Sequence, residues 1–583
     1  MTTDPTPASD LRSARWFAAH DLPGFLHRAS VKAIGYSRAA LDGRPVIGIC
    51  NPWSEVVNCN VHFRGLAEAV RRGVLAAGGL PLEFPVSSLG ENLQKPTTML
   101  FRNLMAMDVE EAIRSYPFDA VVLIGGCDKT QPAQLMGAAS ADVPAIMLTG
   151  GTVEPALYRG RELSVGTDLW RYTDELRAGK ITLDEYDELE AAWIPGAGHC
   201  NEMGTASTMA CVTEALGMAL SGTATIPALT ARRAAASEAT GRRAVEIALA
   251  DLRPSQILTP DAFDNAITVL CALGGSTNAV VHLLALARRT GYALPLERFD
   301  ELSRRTPVLA DVRPAGAHLV DKLDDAGGVP ALLHELGALL ARDAITVGGP
   351  TIGECARVGT GAVVRSLGDP VKPAGGLAVL RGSLAPRGAV LKVASADPSL
   401  LRHRGRAVVF EGVDDVAARI DDPALDIDAS SVLVLRNVGP KGAPGMPEWG
   451  MVPIPERLLA EGVRDMVRIS DARMSGTAFG TCVLHVAPES YDGGPLAAVR
   501  DGDMIALDID ARTIELEVDP AEIERRLAER PPPIPRYTRG YGRLHVDHVL
   551  QADEGCDLDF LAGPPEEEHR LPYGLFAGWV GGW

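Results

Sequence analysis

The chain has 583 residues, 46% of them apolar and only 5% aromatic, with 60 glycines and 41 prolines. That is too long for one compact core and apolar enough to build two or three. Lys and Arg number 56 against 75 Asp and Glu, a formal net charge of −19, which argues against nucleic acid or an anionic membrane as the main partner.

Met1–Arg28 mixes acidic and basic residues and lacks the apolar centre of a signal peptide. From about Arg44 to Gly151 short apolar runs alternate with amphipathic segments. Strands are expected at Pro45–Cys50, Leu82–Ser87, Ala120–Ile124 and Val143–Leu148, and Phe63, Leu66, Val70 and Val74 recur at helical spacing. Strand–loop–helix repetition implies a parallel sheet, and such sheets bind ligands at the carboxyl ends of their strands. Cys59, Glu91 and Cys127-Asp128-Lys129 all follow expected strands. Leu163–Trp193 reads as a polar helical excursion, and Thr205–Leu220 and Asn278–Ala287 as buried helices. Met209–Leu229 contains Glu214 and Pro227, so it reads as a buried helix and not a membrane span.

Around Gly349–Gly376 the character changes. Short β-like runs follow at Leu377–Leu380, Ala389–Val393, Ala407–Phe410, Val432–Leu435, Met466–Ile469, Cys482–Val486 and Met504–Ile509, as in a barrel or sandwich. The expected fold class is α/β: an N-terminal α/β domain with a parallel sheet over residues 1–370, and a C-terminal β-barrel-like domain over 371–583. The tail beyond Pro531, with acidic Glu566–Glu568, is expected to wrap the surface or a partner subunit.

The nine cysteines are odd in number and scattered, without a CxxC pair, which suits a reducing cytoplasm. Cys59 lies in NCN, Cys127 in GGCDK and Cys200 in GHCNEMGTAST, all loop settings, whereas Cys211 and Cys271 fall in apolar helical patterns and read as core. One loop cysteine alone is more often a buried small side chain, and separations of 68 and 73 residues match no local metal motif. Glu91 with Asp128-Lys129 sets hard oxygen donors beside a soft thiol; carboxylates suit Mg²⁺ and thiolates suit iron–sulfur clusters. Taken alone, Asp128 reads as a helix cap with Lys129 in solvent. The loop Gly439–Glu448 is expected to deliver Lys441 and Glu448. Ser470–Thr477 presents two hydroxyls, Ser475 and Thr477, in a tight turn that could also be ordinary turn chemistry. Gly274–Asn278 could bind an anion at a helix N-terminus or simply cap it. His199, His282, His545 and His548 are individually uninformative.

Together the segments NCN, EFPVSSLGE, GGCDKTQP, GHCNEMGTASTM, GGSTNA, GPKGAPGMPE and SDARMSGT, in that order from about residue 45 to 490, resemble the dihydroxy-acid and sugar-acid dehydratase family. LPLEFPVSSLGE, TTMLFRNLMAMDVEE and the C-terminal YGRLHVDHVLQADEGCDLDFL look closest to its L-arabinonate and D-xylonate branch. The resemblance implies that Cys59, Cys127 and Cys200 hold a 2Fe–2S cluster (4Fe–4S being the alternative), and that Glu91, Asp128 and Glu448 hold Mg²⁺, with Lys129 joining as a carbamate. It makes Ser475 the base, as an alkoxide beside Thr477, and implies an α/β domain plus a β-barrel assembled as homodimers or homotetramers.

Three cysteines, where an electron-transfer cluster uses four, leave an iron open to act as a Lewis acid on a departing C3 hydroxyl. Mg²⁺ holding the substrate carboxylate and C2 hydroxyl would acidify the C2 proton. The expected activity is conversion of an aldonate, a pentonate by choice, to its 2-keto-3-deoxy acid. Dihydroxy-acid dehydratase of branched-chain amino-acid synthesis is the alternative within the class, and the SDARMSG segment points away from that branch's DGRFSGG. A non-catalytic iron–sulfur redox or sensor protein is the alternative from another class; it would leave Glu91, Asp128 and Glu448 idle.

Overall fold

Four aliphatic runs build the first sheet: β1 (Val46–Asn51), β2 (Leu80–Pro85), β3 (Ala120–Gly125) and β4 (Ala145–Thr149). The computed structural model that shows this describes residues 11–563, so Glu566–Glu568 lie outside the described part. The sheet is parallel throughout, in the order β2-β1-β3-β4. β1, β3 and β4 are buried along their whole length, which is why they read as continuous apolar runs with no polar alternation. From β1 the chain steps first to β2 on one side and then to β3 on the other. The carboxyl ends of β1 and β3 therefore flank a topological switch point, where a crevice opens.

The helices of this lobe that bear on the site are α1 (Phe63–Ala76), α2 (Met99–Ser115), α3 (Thr130–Ala141), α4 (Thr205–Ala215), α5 (Ala231–Ala250), α6 (Pro260–Ala272) and α7 (Asn278–Arg289). α1, α3 and α5 pack on the sheet, and α4 and α7 are buried almost all round. Between β4 and α4 the chain makes a short hairpin, β5 (Ala156–Tyr158) with β6 (Arg161–Leu163).

The second lobe is a closed eight-stranded barrel. Its strands are β7 (Ala378–Gly382), β8 (Ala385–Leu391), β9 (Arg402–Glu411), β10 (Val432–Arg436), β11 (Arg468–Ser470), β12 (Cys482–Ala487), β13 (Met504–Asp508) and β14 (Thr513–Leu516), in the order β10-β11-β12-β8-β7-β14-β13-β9. Alternation with period two fills both faces: Ala407, Val409, Val432 and Val434 join one core, while Val408, Phe410, Leu433 and Leu435 join another. β10, β11 and β12 run parallel, so the loops that follow β10 and β11 leave from the same end of the barrel.

Four stretches differ from the sequence reading. β14 was not expected, because its Thr-Ile-Glu-Leu pattern carries only two apolar residues. The helical excursion at Leu163 opens with strand β6 and resolves into two helices, Thr167–Arg177 and Leu183–Ala192, the second started by a Thr182–Glu185 capping box. Met209–Leu229 is helical only to Ala215; Gly217, at φ +83°, turns the chain so that Met218 O accepts from Met147 N at 2.8 Å and covers the edge of β4. The segment after Pro531 does not simply lie on the surface. It forms α8 (Gly540–His548) and then docks on the first lobe, where buried Asp557 pairs with buried Arg289 at 2.6 Å and Arg102 donates to the carbonyls of Gly555 and Cys556, both at 2.8 Å. Among the described residues no helix is long and apolar enough to cross a membrane.

Candidate active site

Three cysteine loops meet at the crevice between β1 and β3. Cys59 follows β1, Cys127 follows β3, and Cys200 lies where the chain after β4 makes a parallel bridge, Thr152 with His199. Gly126 allows the approach: a Cβ there would lie 2.7 Å from the Cys59 carbonyl oxygen and 2.6 Å from Phe63. On the other side Gly198 N donates to Asn58 O at 3.5 Å, tying the Cys200 loop to the Cys59 loop. The hydrogen bond between the Cys59 and Cys127 side chains, then burial, pushes the Cys127 thiol well above its ordinary value; burial, helped by Glu202, does the same to Cys200. All nine cysteines are free, and Cys211 and Cys271 are buried in α4 and α6 as expected of core residues.

Beside the thiols lies a cage of carboxylates. Lys129 is wholly buried, and its Nζ stands 2.5 Å from Asp128 Oδ2, 3.0 Å from Glu448 Oε1 and 3.4 Å from Glu91 Oε2. The solvent-exposed Lys129 of the capping alternative is thereby corrected: three carboxylates, not water, compensate the charge. Burial and Arg473 pull the ammonium down, yet Asp128, Glu448 and Glu91 outweigh them and hold it above its ordinary value. Burial opposes ionisation of Glu91, but Lys129, Arg473 and the hydroxyls of Thr98 and Thr97 hold it down to about 2. Burial lifts Asp128 above the usual carboxylate range, with Lys129 pulling the other way. Glu448 Oε1 also accepts from Arg473 Nη1 and Asn278 Nδ2, each at 2.9 Å.

The donor set suits two different groups. The Lys129 ammonium shows that the cage takes a cation, and an all-oxygen set of three carboxylates suits Mg²⁺. Three thiols on touching loops suit an iron–sulfur cluster. Among the described residues, no three His, Cys, Asp or Glu side chains stand at the spacing of a single-ion site; the Glu91, Asp128 and Glu448 carboxylates close instead on the Lys129 ammonium.

The third component comes from the loop after β11. Ser475 is half-buried, and its Oγ lies 2.9 Å from Thr477 Oγ1 and 3.4 Å from Thr477 N. Trp170 Nε1 donates to Thr477 Oγ1 at 3.2 Å. Gly166 and Gly204 leave the space that Thr477 fills; a Cβ on Gly166 would fall 2.3 Å from the Thr477 side chain and 2.2 Å from Glu202 Oε1. Asn278 joins this turn to the cage, since its Nδ2 also approaches Met474 O at 3.2 Å. The loop Gly274–Asn278 thus receives a carboxylate of the protein itself, Glu448. Lys441 points elsewhere, pairing with Asp492 at 2.8 Å, so the Gly439–Glu448 loop delivers one of its two expected side chains.

Residues 44–355 match the family described as dihydroxy-acid/6-phosphogluconate dehydratase N-terminal, and residues 362–556 match its C-terminal counterpart. The chain belongs to this dehydratase family. Among curated relatives, an L-arabonate dehydratase of Azospirillum brasilense is 53% identical over 95% of this chain and 97% of its own length. An L-arabinonate dehydratase of Rhizobium leguminosarum bv. trifolii is 50% identical over 95% and 96%. A 6-deoxy-6-sulfo-D-gluconate dehydratase of Pseudomonas putida is 46% identical over 95% and 96%.

For this dehydratase, the sequence reading passed over Arg473, Thr97, Thr98, Trp170 and Glu202 as site residues. Arg473 lies inside the SDARMSGT segment and is completely buried, which an arginine in a turn does not announce. Thr97 and Thr98 sit six and seven residues beyond Glu91, a local spacing that fits carboxylate anchoring. Trp170 carries no signal in its sequence context.

Proposed function

We propose that this protein is a cytoplasmic sugar-acid dehydratase that converts an aldonate, a pentonate such as L-arabinonate or D-xylonate, to its 2-keto-3-deoxy acid. The observation that carries the reading is that Asn278 of the first lobe joins Glu448 of the carboxylate cage to the paired-hydroxyl turn, both supplied by the barrel, over Asp128 and Lys129 of the first lobe. The chain's resemblance to sugar-acid enzymes, and the names of the three relatives, support the substrate class.

Cys59, Cys127 and Cys200 would hold an iron–sulfur cluster, which we assign as 2Fe–2S, and Glu91, Asp128 and Glu448 would hold Mg²⁺. When bound, these groups supply Lewis acidity toward a leaving hydroxyl and toward the carboxylate end of a substrate. Lys129 must give up its positive charge for a divalent cation to replace it; addition of CO₂ to Nζ, with loss of two protons from the ammonium, would turn it into an oxygen donor beside the other three.

Ser475 Oγ takes the C2 proton in this scheme. Thr477, whose Oγ1 already accepts from Trp170, keeps its own hydroxyl proton for the Ser475 oxygen once that oxygen is negative. The C3–O bond then breaks, the departing hydroxide takes up the proton held on Ser475, and water leaves. The enol exchanges its hydroxyl proton for one at C3, so the net change is loss of one water. Arg473 and Asn278 fix the Glu448 carboxylate throughout. Nine free thiols suit a reducing compartment, and the resemblance supports assembly as homodimers or homotetramers.

The test is turnover by anaerobically prepared protein with Mg²⁺ on arabinonate, xylonate, gluconate, galactonate and 2,3-dihydroxyisovalerate, scored as 2-keto acid. Turnover of a sugar acid that a chelator abolishes is expected. Preference for dihydroxyisovalerate would transfer the protein to amino-acid synthesis, and an intact cluster without turnover on any of the five would refute the reading.

A further inference from the structure

Lys392 follows the last residue of β8 and is completely buried. Among the described residues the one hydrogen bond found for its Nζ runs to the carbonyl oxygen of Gly476, 3.2 Å away. A buried ammonium with one neutral partner is costly, and packing alone would be served as well by methionine. Burial pulls Lys392 down to about 7, and the charged group that faces it and opposes this is Glu202. Gly476 lies between Ser475 and Thr477, and its peptide to Thr477 is trans. In a trans peptide the C=O and N–H point in opposite directions. Lys392 therefore stands at the oxygen end of a peptide whose N–H, that of Thr477, is aimed at Ser475 Oγ from 3.4 Å.

We propose that Lys392 is a positioning residue for proton abstraction: its ammonium polarises the Gly476–Thr477 peptide, so that the Thr477 N–H steadies negative charge on Ser475 Oγ. The inference rests on Ser475 being the base. It makes Thr477 a two-point clamp, with the backbone N–H driven by Lys392 and the side-chain hydroxyl oriented by Trp170. Donors fixed in advance at an atom that becomes negative, in a water-poor setting, lower the cost of forming that charge. The 3.4 Å separation belongs to a neutral serine; bonds to a charged oxygen are shorter.

The experiment compares full-length, cluster-loaded enzyme with Mg²⁺ in four forms: native, Lys392→Met, Lys392→Gln and Ser475→Ala. Lys392→Met should lower kcat by about tenfold to a hundredfold, less than direct loss of an oxyanion donor because it acts through one peptide. KM should stay within about twofold and the cluster absorbance should be unchanged. The acidic limb of the pH profile of kcat should move up by about one unit, the equivalent of tenfold in ionisation. A structural lysine would scale the profile without moving its limb, and that result, or an unchanged kcat, overturns the proposal. Should Lys392→Met lose its cluster or its solubility, Lys392→Gln decides: it keeps a donor for Gly476 O without the charge, so the same limb shift is expected. Failure of both variants to yield folded protein would overturn it too, by marking the ammonium as a folding element. Near-normal turnover by Ser475→Ala would instead defeat the base assignment itself, whereas a dead Ser475→Ala beside normal Lys392 variants defeats this inference alone.

Discussion

Glu448→Gln is the sharpest probe of the carboxylate cage. One oxygen of Glu448 accepts from Lys129 at 3.0 Å and from Arg473 and Asn278 at 2.9 Å, and the side chain is only 15% exposed. Glutamine keeps the shape and an accepting oxygen but removes the charge. Two of the three bonds then fall from charged pairs to ordinary ones, a loss of about 1 kcal/mol each, or about 2 kcal/mol in all. With an unfolding entropy near 2.1 cal/mol/K per residue, the melting temperature of a chain this long should fall by about 2 °C in metal-free protein. The effect on cation binding is larger. Glu91, Asp128 and Glu448 oppose Lys129 and Arg473 with one negative charge to spare, and the variant has none. The Mg²⁺ concentration for half-maximal activity should rise by about thirtyfold, the equivalent of two lost charge-assisted contacts at about 1 kcal/mol each. Differential scanning fluorimetry without metal and a Mg²⁺ titration of activity make the two measurements. An unchanged Mg²⁺ response would refute the cage as a cation site, even if the melting temperature fell.

Cys59→Ser, Cys127→Ser and Cys200→Ser should each abolish the visible absorbance of reconstituted protein, while Cys211→Ser keeps it; equal spectra in all four would remove the thiol assignment. Gly166→Ala should cost about a hundredfold or more in kcat, because its Cβ collides with the Thr477 side chain and Glu202; near-native kcat would show that the Thr477 pocket yields. Burial pushes Glu214 up to about 7, so the folded state prefers it protonated. Its contribution to stability is greatest below the ordinary carboxylate value near 4.5, falls as pH rises toward about 7 and is level beyond. Glu214→Gln should therefore lose less melting temperature than native protein between pH 5 and 8, and parallel curves would contradict that assignment. Glu91 has the opposite sign. Held down to about 2, it contributes stability above pH 4.5 that is lost as pH falls toward 2, so Glu91→Gln should flatten acid unfolding over that range.

What the sequence made legible follows from the length over which each signal acts. β1, β3 and β4 stand out because a strand buried on both faces has to be continuously apolar. Seven of the eight barrel strands stand out because Gly, Pro and Asp punctuate them. β14 fails that test because Thr513 and Glu515 occupy alternate positions, and the three-residue strands β5 and β6 are too short to show a period. Motif order pointed to Glu91, Asp128, Glu448 and Ser475 as a set. Their geometry was another matter, because Lys129 and Glu448 are 319 residues apart and periodicity has no reach at that range. Lys392 and Trp170 stayed silent for a simpler reason: a lysine after a strand and a tryptophan on a polar helix are ordinary, and only the peptide and hydroxyl they face give them meaning.

The division of the site between two lobes also sets an order of manufacture. Cys59, Cys127 and Cys200 belong to the first 200 residues of the chain, as do Glu91, Asp128 and Lys129, whereas Glu448 and Ser475 belong to the barrel. At ordinary rates of synthesis the roughly 250 residues between Cys200 and Glu448 take about 12–50 s to make, and domains fold as units in the order they emerge. Part of that interval goes to the rest of the first lobe, including α5, α6 and α7, and only what remains separates a foldable first lobe from the barrel loops that complete the site. In that remaining interval Cys59, Cys127 and Cys200 belong to a lobe that can fold before Glu448 and Ser475 have been made.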